Sequence, residues 1–229
     1  FDQMLIAAPR LMKDNKLTKA CVIYQDDDFG LEVMRGAEAG LKTIGMQFTE
    51  KTSYKRGATD FSSQVAKMKA ANCELVVLGT IIRETIGTVG EARKTGFNPT
   101  FVGSSAAYTD LIHKLGGKAM DGVYATMTMT PQTIPGDEQW VTSYKAKFGA
   151  DPGPYSTQCY DAVRVAAEAV KDAGSTDGAK LTKALEAING FPLFSGPLKF
   201  TADHTLSTGG FQILVVKSGQ FALQDANPA

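Results

Sequence analysis

The first half of this chain alternates short apolar runs with amphipathic stretches, and that alternation limits the fold more than any other feature. Residues 19–24 (KACVIY), 74–79 (ELVVLG) and 100–103 (TFVG) are short and apolar, as expected of strands buried on both faces. Helical patterns lie between them. Residues 29–44 carry Leu31, Val33, Met34, Ala37, Leu41 and Ile44 before Gly45. Residues 61–71 carry Phe61, Val65, Ala66 and Met68, and residues 82–95 carry Ile86, Val89 and Ala92 before Gly96. Glycine just past a periodic run is a helix stop. Residues 2–15 form a further helical pattern that Pro9 is expected to kink or shorten. Residues 47–51 predict a weak strand, 109–115 a short helix and 121–129 an alternating strand. Such β-α units imply an α/β fold: a doubly wound parallel sheet with helices on both faces.

The pattern changes after residue 129. A turn-rich break at 131–136 precedes helical patterns at 138–148, 155–173 and 179–188, with no strand between them. Each has an apolar face, yet no local strand supplies a sheet to cover it. They must pack on the first unit or on a sheet outside this chain. Residues 196–200 and 211–216 then predict strands, the second followed by the turn Lys217-Ser218-Gly219-Gln220. The chain opens on Phe1 without Met and in mid-pattern, and is expected to be a processed, truncated or nicked product. It opens on no basic leader, and no stretch approaches the roughly 20 apolar residues of a membrane span.

Composition narrows the function. Lys plus Arg equals Asp plus Glu at 24 each, which removes the electrostatic reason to bind nucleic acid or an anionic membrane. The three cysteines, Cys21, Cys73 and Cys159, form no C-x-x-C pair. Buried free thiols are expected, with a Cys21–Cys73 bridge only if neighbouring strands align them. The two histidines, His113 and His204, lie far apart, so no metal site is expected. There is no G-x-S-x-G and no phosphate-binding P-loop. The Gly87–Gly90 run falls inside a helix, not at a strand-to-helix turn. No catalytic residue and no cofactor are expected. Asp26-Asp27-Asp28 reads as a solvated helix cap, with Thr59 or Asp60 capping the next helix. Asp60 and Glu84 suit the positive ends of helix dipoles.

Position supplies the candidate site, because open α/β sheets bind ligands beyond the carboxyl ends of their strands. Those ends are residues 25–30, 79–83 and 103–108. Phe29 offers an apolar wall. Ser104 and Ser105 offer hydroxyls and amides at a helix start, equally suited to a carboxylate or to plain capping.

Six segments strengthen this reading: VIYQDDDFG, GATDFSSQVAKMKAANCELVVLG, EARKTGFNPTFVG, AMDGVYATM, YDAVRVAAEAVKDAGSTD and SGPLKF, in that order along the chain. Together they resemble the leucine/isoleucine/valine-binding branch of the periplasmic binding proteins. The resemblance implies a type I periplasmic binding fold, with two doubly wound lobes joined by three crossovers and the ligand between them. Residues 1–129 would be the C-terminal ligand-binding lobe, 130–190 helices of the N-terminal lobe, and 191–229 the return to the C-terminal lobe. The missing N-terminal lobe segment would be a partner, and its absence would explain the uncovered helices.

The resemblance also implies site residues. Phe29 matches a position whose aromatic ring stacks on the ligand. Ile81 and Ile82 match positions where amino-acid binders carry an aromatic residue. Ser105 stands where such binders often place an acid that pairs with the ligand's ammonium, with Ala106 beside it. Here that acid is absent, and Asp110 lies one helical turn on. A buried ammonium without a carboxylate is costly, so an apolar or aromatic carboxylate is favoured and a branched-chain or other amino acid comes next. Arg83 is a candidate partner for the carboxylate, although an exposed first-turn role suits it better. Tyr108 and Tyr160 are further candidates. The implied function is a solute-binding receptor of an ABC importer, located in the periplasm, with a membrane permease as partner. The alternatives are a ligand-sensing domain of a receptor or regulator and, more distantly, an α/β enzyme.

Overall fold

The computed structural model describes residues 2–128, 138–153, 155–194, 196–202, 204–205 and 211–226. The elements run α1 (Asp2–Asp14), β1 (Ala20–Gln25), α2 (Asp28–Thr43), β2 (Phe48–Tyr54), α3 (Ser62–Ala70), β3 (Leu75–Gly79), α4 (Ile82–Lys94) and β4 (Thr100–Gly103). After a 3-10 turn over Ser105–Ala107 come α5 (Asp110–Gly116) and, past a second 3-10 turn over Gly117–Met120, β5 (Val123–Thr128). There follow α6 (Glu138–Phe148), α7 (Ser156–Ala173), α8 (Gly178–Ala187), β6 (Asn189–Leu193), β7 (Gly196–Lys199), β8 (Phe211–Lys217) and β9 (Gln220–Ala226). The turn-rich break expected at 131–136 lies outside the described residues. The chain divides into two compact units, Phe1–Met127 with Phe211–Ala229, and Thr128–Gly210.

The first unit is built on a seven-stranded sheet of order β2-β1-β3-β4-β5-β8-β9. The pairs from β2 through β5 are parallel, and β8 and β9 form an antiparallel hairpin at the edge. Alternate strand residues serve opposite faces, as the pleat requires. Ala20, Val22, Leu75, Val77 and Val102 meet Met4, Leu11, Met12, Val33 and Leu41 of α1 and α2. Cys21, Ile23, Val76, Leu78 and Phe101 meet Val65, Met68, Val89 and Ile112 of α3, α4 and α5. Helix cover on both faces explains why the central strands read as unbroken apolar runs.

Pro9 does not shorten α1, which runs through it to Asp14. Without an N–H, Pro9 leaves the Leu5 carbonyl short of its helical donor. The helix holds because α2 packs tightly at that spot: a Cβ on Gly40 would stand 2.2 Å from the Leu5 oxygen.

Three further expectations change. Cys21 and Cys73 are not free thiols; they form a disulfide with Cα atoms 5.8 Å apart. Cys21 faces Val76 across the β1–β3 ladder, so its neighbour strand begins just after Cys73. The helix after β2 starts at Ser62 with Phe61 at its cap and no side-chain cap, although Asp60 Oδ1 accepts from the Ser62 amide at 2.9 Å. By compactness, Phe211–Ala229 joins the first unit. Residues 189–199 pair with each other as the β6–β7 hairpin, in a stretch that had shown no first strand.

Among the described residues, the second unit has only that hairpin as sheet. Asp161 of α7 holds it by accepting the Phe194 amide at 2.8 Å, and also pairs with Arg164 at 2.8 Å. Trp140 of α6 lies edge-on to Tyr160 and Phe194, with centroids 5.7 and 5.1 Å away. No described residue of α6 or α8 is buried. Val163 and Phe148 remain 70% and 60% exposed, so the apolar faces noted in the sequence stay largely uncovered.

Candidate functional site

The strand order places a topological switch at β1 and β3, since the chain leaves β1 towards β2 and returns to build β3 on the other side. At such a point the helices after adjacent strands diverge, and a crevice opens beyond the strand tips. The loops after β1, β3 and β4 therefore carry the candidate site.

The β1 tip is rigidly built. Asp27 caps α2 by accepting the Gly30 amide at 3.1 Å. Gln25 is fully buried and donates to the same carboxylate. Arg56, from the loop after β2, pairs with Asp27 at 2.8 Å. The Arg56 bond and the Gly30 amide hold the Asp27 carboxyl below its ordinary range. Lys55 pairs with Asp26 beside it. Asp27 thus acts as a cap and ion-pair anchor and Asp26 as an ion-pair partner, while Asp28 opens the first turn of α2. Phe29 follows in the first turn of α2, half-buried and packed on the core edge.

The β3 tip carries Thr80, Ile81, Ile82 and Arg83. Thr80 is fully buried and shares a 2.6 Å hydrogen bond with Thr85. Ile81 caps α4 without a side-chain bond and is 36% exposed. Ile82 packs against the core, and Arg83 is exposed. The β4 tip carries Ser104, which is buried and accepts the Ala106 amide at 3.4 Å as a cap. Ser105 and Ala106 are half-buried.

The sequence reading offered the Ser105 amide to a carboxylate. That amide instead donates to Gln3 Oε1 at 3.3 Å. Tyr108 places its ring 4.5 Å from that of Phe221 on β9. Tyr160 belongs to the second unit, stacked with Trp140 and Phe194.

Beneath the tips lies a group of buried polar atoms that sequence reasoning missed. Glu84, placed in the sequence only at a helix start, is 4% exposed. Its Oε2, with Tyr54 Oη, Gln25 Oε1 and Thr88 Oγ1, has no hydrogen-bond partner among the described residues. Burial pushes the Tyr54 hydroxyl well above its ordinary range, and the nearby Glu84 and Asp27 charges add to the shift. Only the acid's helix-start position was legible; its burial follows from α4 lying on the sheet. No group of three or more His, Cys, Asp or Glu residues suited to a metal occurs among the described residues.

Residues 2–220 match the family model described as periplasmic binding protein. The chain belongs to this family. As a periplasmic binding protein it is 29% identical over 203 residues to the Leu/Ile/Val-binding protein homolog 7 of Brucella abortus (strain 2308), covering 82% of this chain and 51% of that protein. It is 26% identical over 187 residues to an amino acid binding protein of Pseudomonas aeruginosa, covering 81% and 50% respectively. The chain thus spans about half the length of the curated relatives it matches.

Solved structures agree on the fold. The leucine binding protein LivK of Thermotoga maritima MSB8 superposes with a TM-score of 0.89 at 22% identity, over 99% of this chain and 65% of that one. An ABC transporter solute binding protein from R. palustris, solved in complex with benzoate, gives 0.84 at 17% identity, over 99% and 63%. This periplasmic binding protein therefore has the α/β fold, with a mostly parallel sheet, that its sequence pattern implied.

Proposed function

We propose that the whole protein is the solute-binding receptor of an ABC importer of the branched-chain amino acid type. Its ligand is a small organic molecule, with an apolar or aromatic carboxylate favoured and a branched-chain or other amino acid next. The two lobes of such a receptor close on the solute, and the closed form is what a membrane permease meets. Only contacts that differ between open and closed states can shift that equilibrium.

The observation that carries the ligand class is the make-up of the strand tips. Phe29, Ile81 and Ile82 supply apolar surface at the β1 and β3 tips. Ser104, Ser105 and Ala106 supply a β4 tip with no acid to receive an ammonium. Arg83, exposed in the first turn of α4 after the β3 tip, supplies a cation for a carboxylate. The proteins named above for leucine and benzoate support both halves of the range. The first unit is the C-terminal lobe in this reading, and the second unit carries helices of the N-terminal lobe. Their exposed apolar faces support a missing covering segment. A buried disulfide supports an oxidising location such as the periplasm.

The test is a thermal-shift screen on the complete protein with aromatic acids, aliphatic acids and amino acids. Aromatic or branched apolar acids should raise the melting temperature most. A complete protein stabilised by no acid and no amino acid would refute the reading.

A further inference from the structure

The geometry points to Gln3 as a specificity residue whose side-chain Nε2 donates a hydrogen bond to an acceptor oxygen of the ligand, a carboxylate oxygen by class. This rests on the solute-binding reading above and names the group that reads the solute.

Gln3 lies in the first turn of α1, and its side chain reaches the tips of two strands. Its Oε1 accepts the Ser105 amide at 3.3 Å and the Thr126 hydroxyl at 3.0 Å. Thr126 is fully buried in β5, and its hydroxyl also approaches the Gly103 carbonyl at 3.4 Å. A backbone amide can only donate, so the oxygen of the carboxamide must be the end that faces Ser105. The orientation is therefore chemically determined, and Nε2 must lie on the other branch. Among the described residues no acceptor meets that nitrogen.

Ser104 adds a second donor at the same strand tip. Its Oγ accepts the Ala106 amide, which spends a lone pair and leaves the hydroxyl proton to give. Two donors with no acid at position 105 form a tip that takes an acceptor. The tip residues 103–108 include no carboxylate, either to repel an anion or to pair with an ammonium. The helix that carries Gln3 is anchored by buried Met4, Ala7, Ala8 and Leu11, so the carboxamide is preorganised rather than free to follow the ligand.

The test uses the complete two-lobed protein and calorimetry with benzoate, phenylacetate and leucine. Two variants are compared. Gln3→Glu keeps oxygen acceptors for Ser105 and Thr126 but removes the donor; Gln3→Met removes both. The expected result is a loss of about tenfold or more in carboxylate affinity for each, larger for Gln3→Glu because like charges meet. The ligand-free melting temperature should fall more for Gln3→Met. If a probe binds the wild type and Gln3→Glu binds it equally well, Gln3 only positions the loop and the assignment is overturned. If neither these probes nor any acid or amino acid of the thermal-shift screen binds the wild type, the solute-binding reading fails, and this proposal with it.

Discussion

Gly30 packs so closely on Gln25 that a Cβ at position 30 would lie 2.0 Å from the Gln25 carbonyl oxygen and 2.6 Å from its nitrogen. The first turn of α2 is pressed directly onto the end of β1. This contact sets where Phe29 stands, one residue earlier. Both obstructing atoms are backbone, so nothing flexible can yield. Gly30→Ala should cost about 1–3 kcal/mol or more, the range for overpacking, with the upper end expected against a fixed neighbour. It should also weaken ligand binding in the complete protein. Urea unfolding with a midpoint equal to wild type would contradict this.

Phe29→Ala should act on binding and spare the fold. The ring is half-buried at the edge of the core, so its loss leaves the sheet intact. Removing an aromatic wall should cost about 1–2 kcal/mol of ligand affinity, roughly 5- to 30-fold. Calorimetry on the complete protein, with a circular dichroism melt as control, checks both parts. Unchanged affinity would remove Phe29 from the site.

The Cys21–Cys73 bridge closes a loop with a sequence separation of 52. Chain-entropy reasoning gives about 4 kcal/mol for a loop of that length. Reduction, or the Cys21→Ala/Cys73→Ala pair, should lower stability by about 2–4 kcal/mol. Denaturation with and without reductant measures it, and the double variant should show no further response to reductant.

Glu74 accepts the Thr18 amide at 2.6 Å, the Thr18 hydroxyl at 2.9 Å and the Lys19 amide at 3.1 Å. The Thr18 bonds, with that of Lys19, lower its carboxyl below the ordinary value of 4.5. A lowered folded value means the contribution is complete above the unfolded value and is lost as pH falls through the folded one. Glu74→Gln should therefore be less stable than wild type near neutrality, and the gap should close below about pH 4.5. Melting temperatures of both proteins from pH 3 to 7 test the sign; a gap that widens in acid would refute it.

Tyr54 keeps a buried hydroxyl without a partner among the described residues, while its ring sits edge-on to Phe61 at 5.4 Å. Tyr54→Phe retains the ring contact and removes a desolvated group. Stability should hold or rise by up to about 1 kcal/mol. A loss above about 1 kcal/mol would show that the hydroxyl is bonded in solution.

Much of the fold was legible because burial on both faces writes itself into the central strands. The runs at 19–24, 74–79 and 100–103 admit no charge in their middles, and the structure makes them β1, β3 and β4. The Asp27 cap was readable because cap chemistry is local. The strands that were missed lack that signature. β6 carries Gly190 and Pro192, and β9 is an edge strand with Leu223 48% exposed, so neither needed an apolar run. The β-α order, the cap and the apolar tips were thus fixed by residue types close together in the chain. The disulfide, the burial of Glu84 and the grip of Gln3 on Ser105, 102 positions away, were decided only by tertiary structure. Each depends on which strands stand side by side and which helix lies over them, and no local periodicity encodes that register.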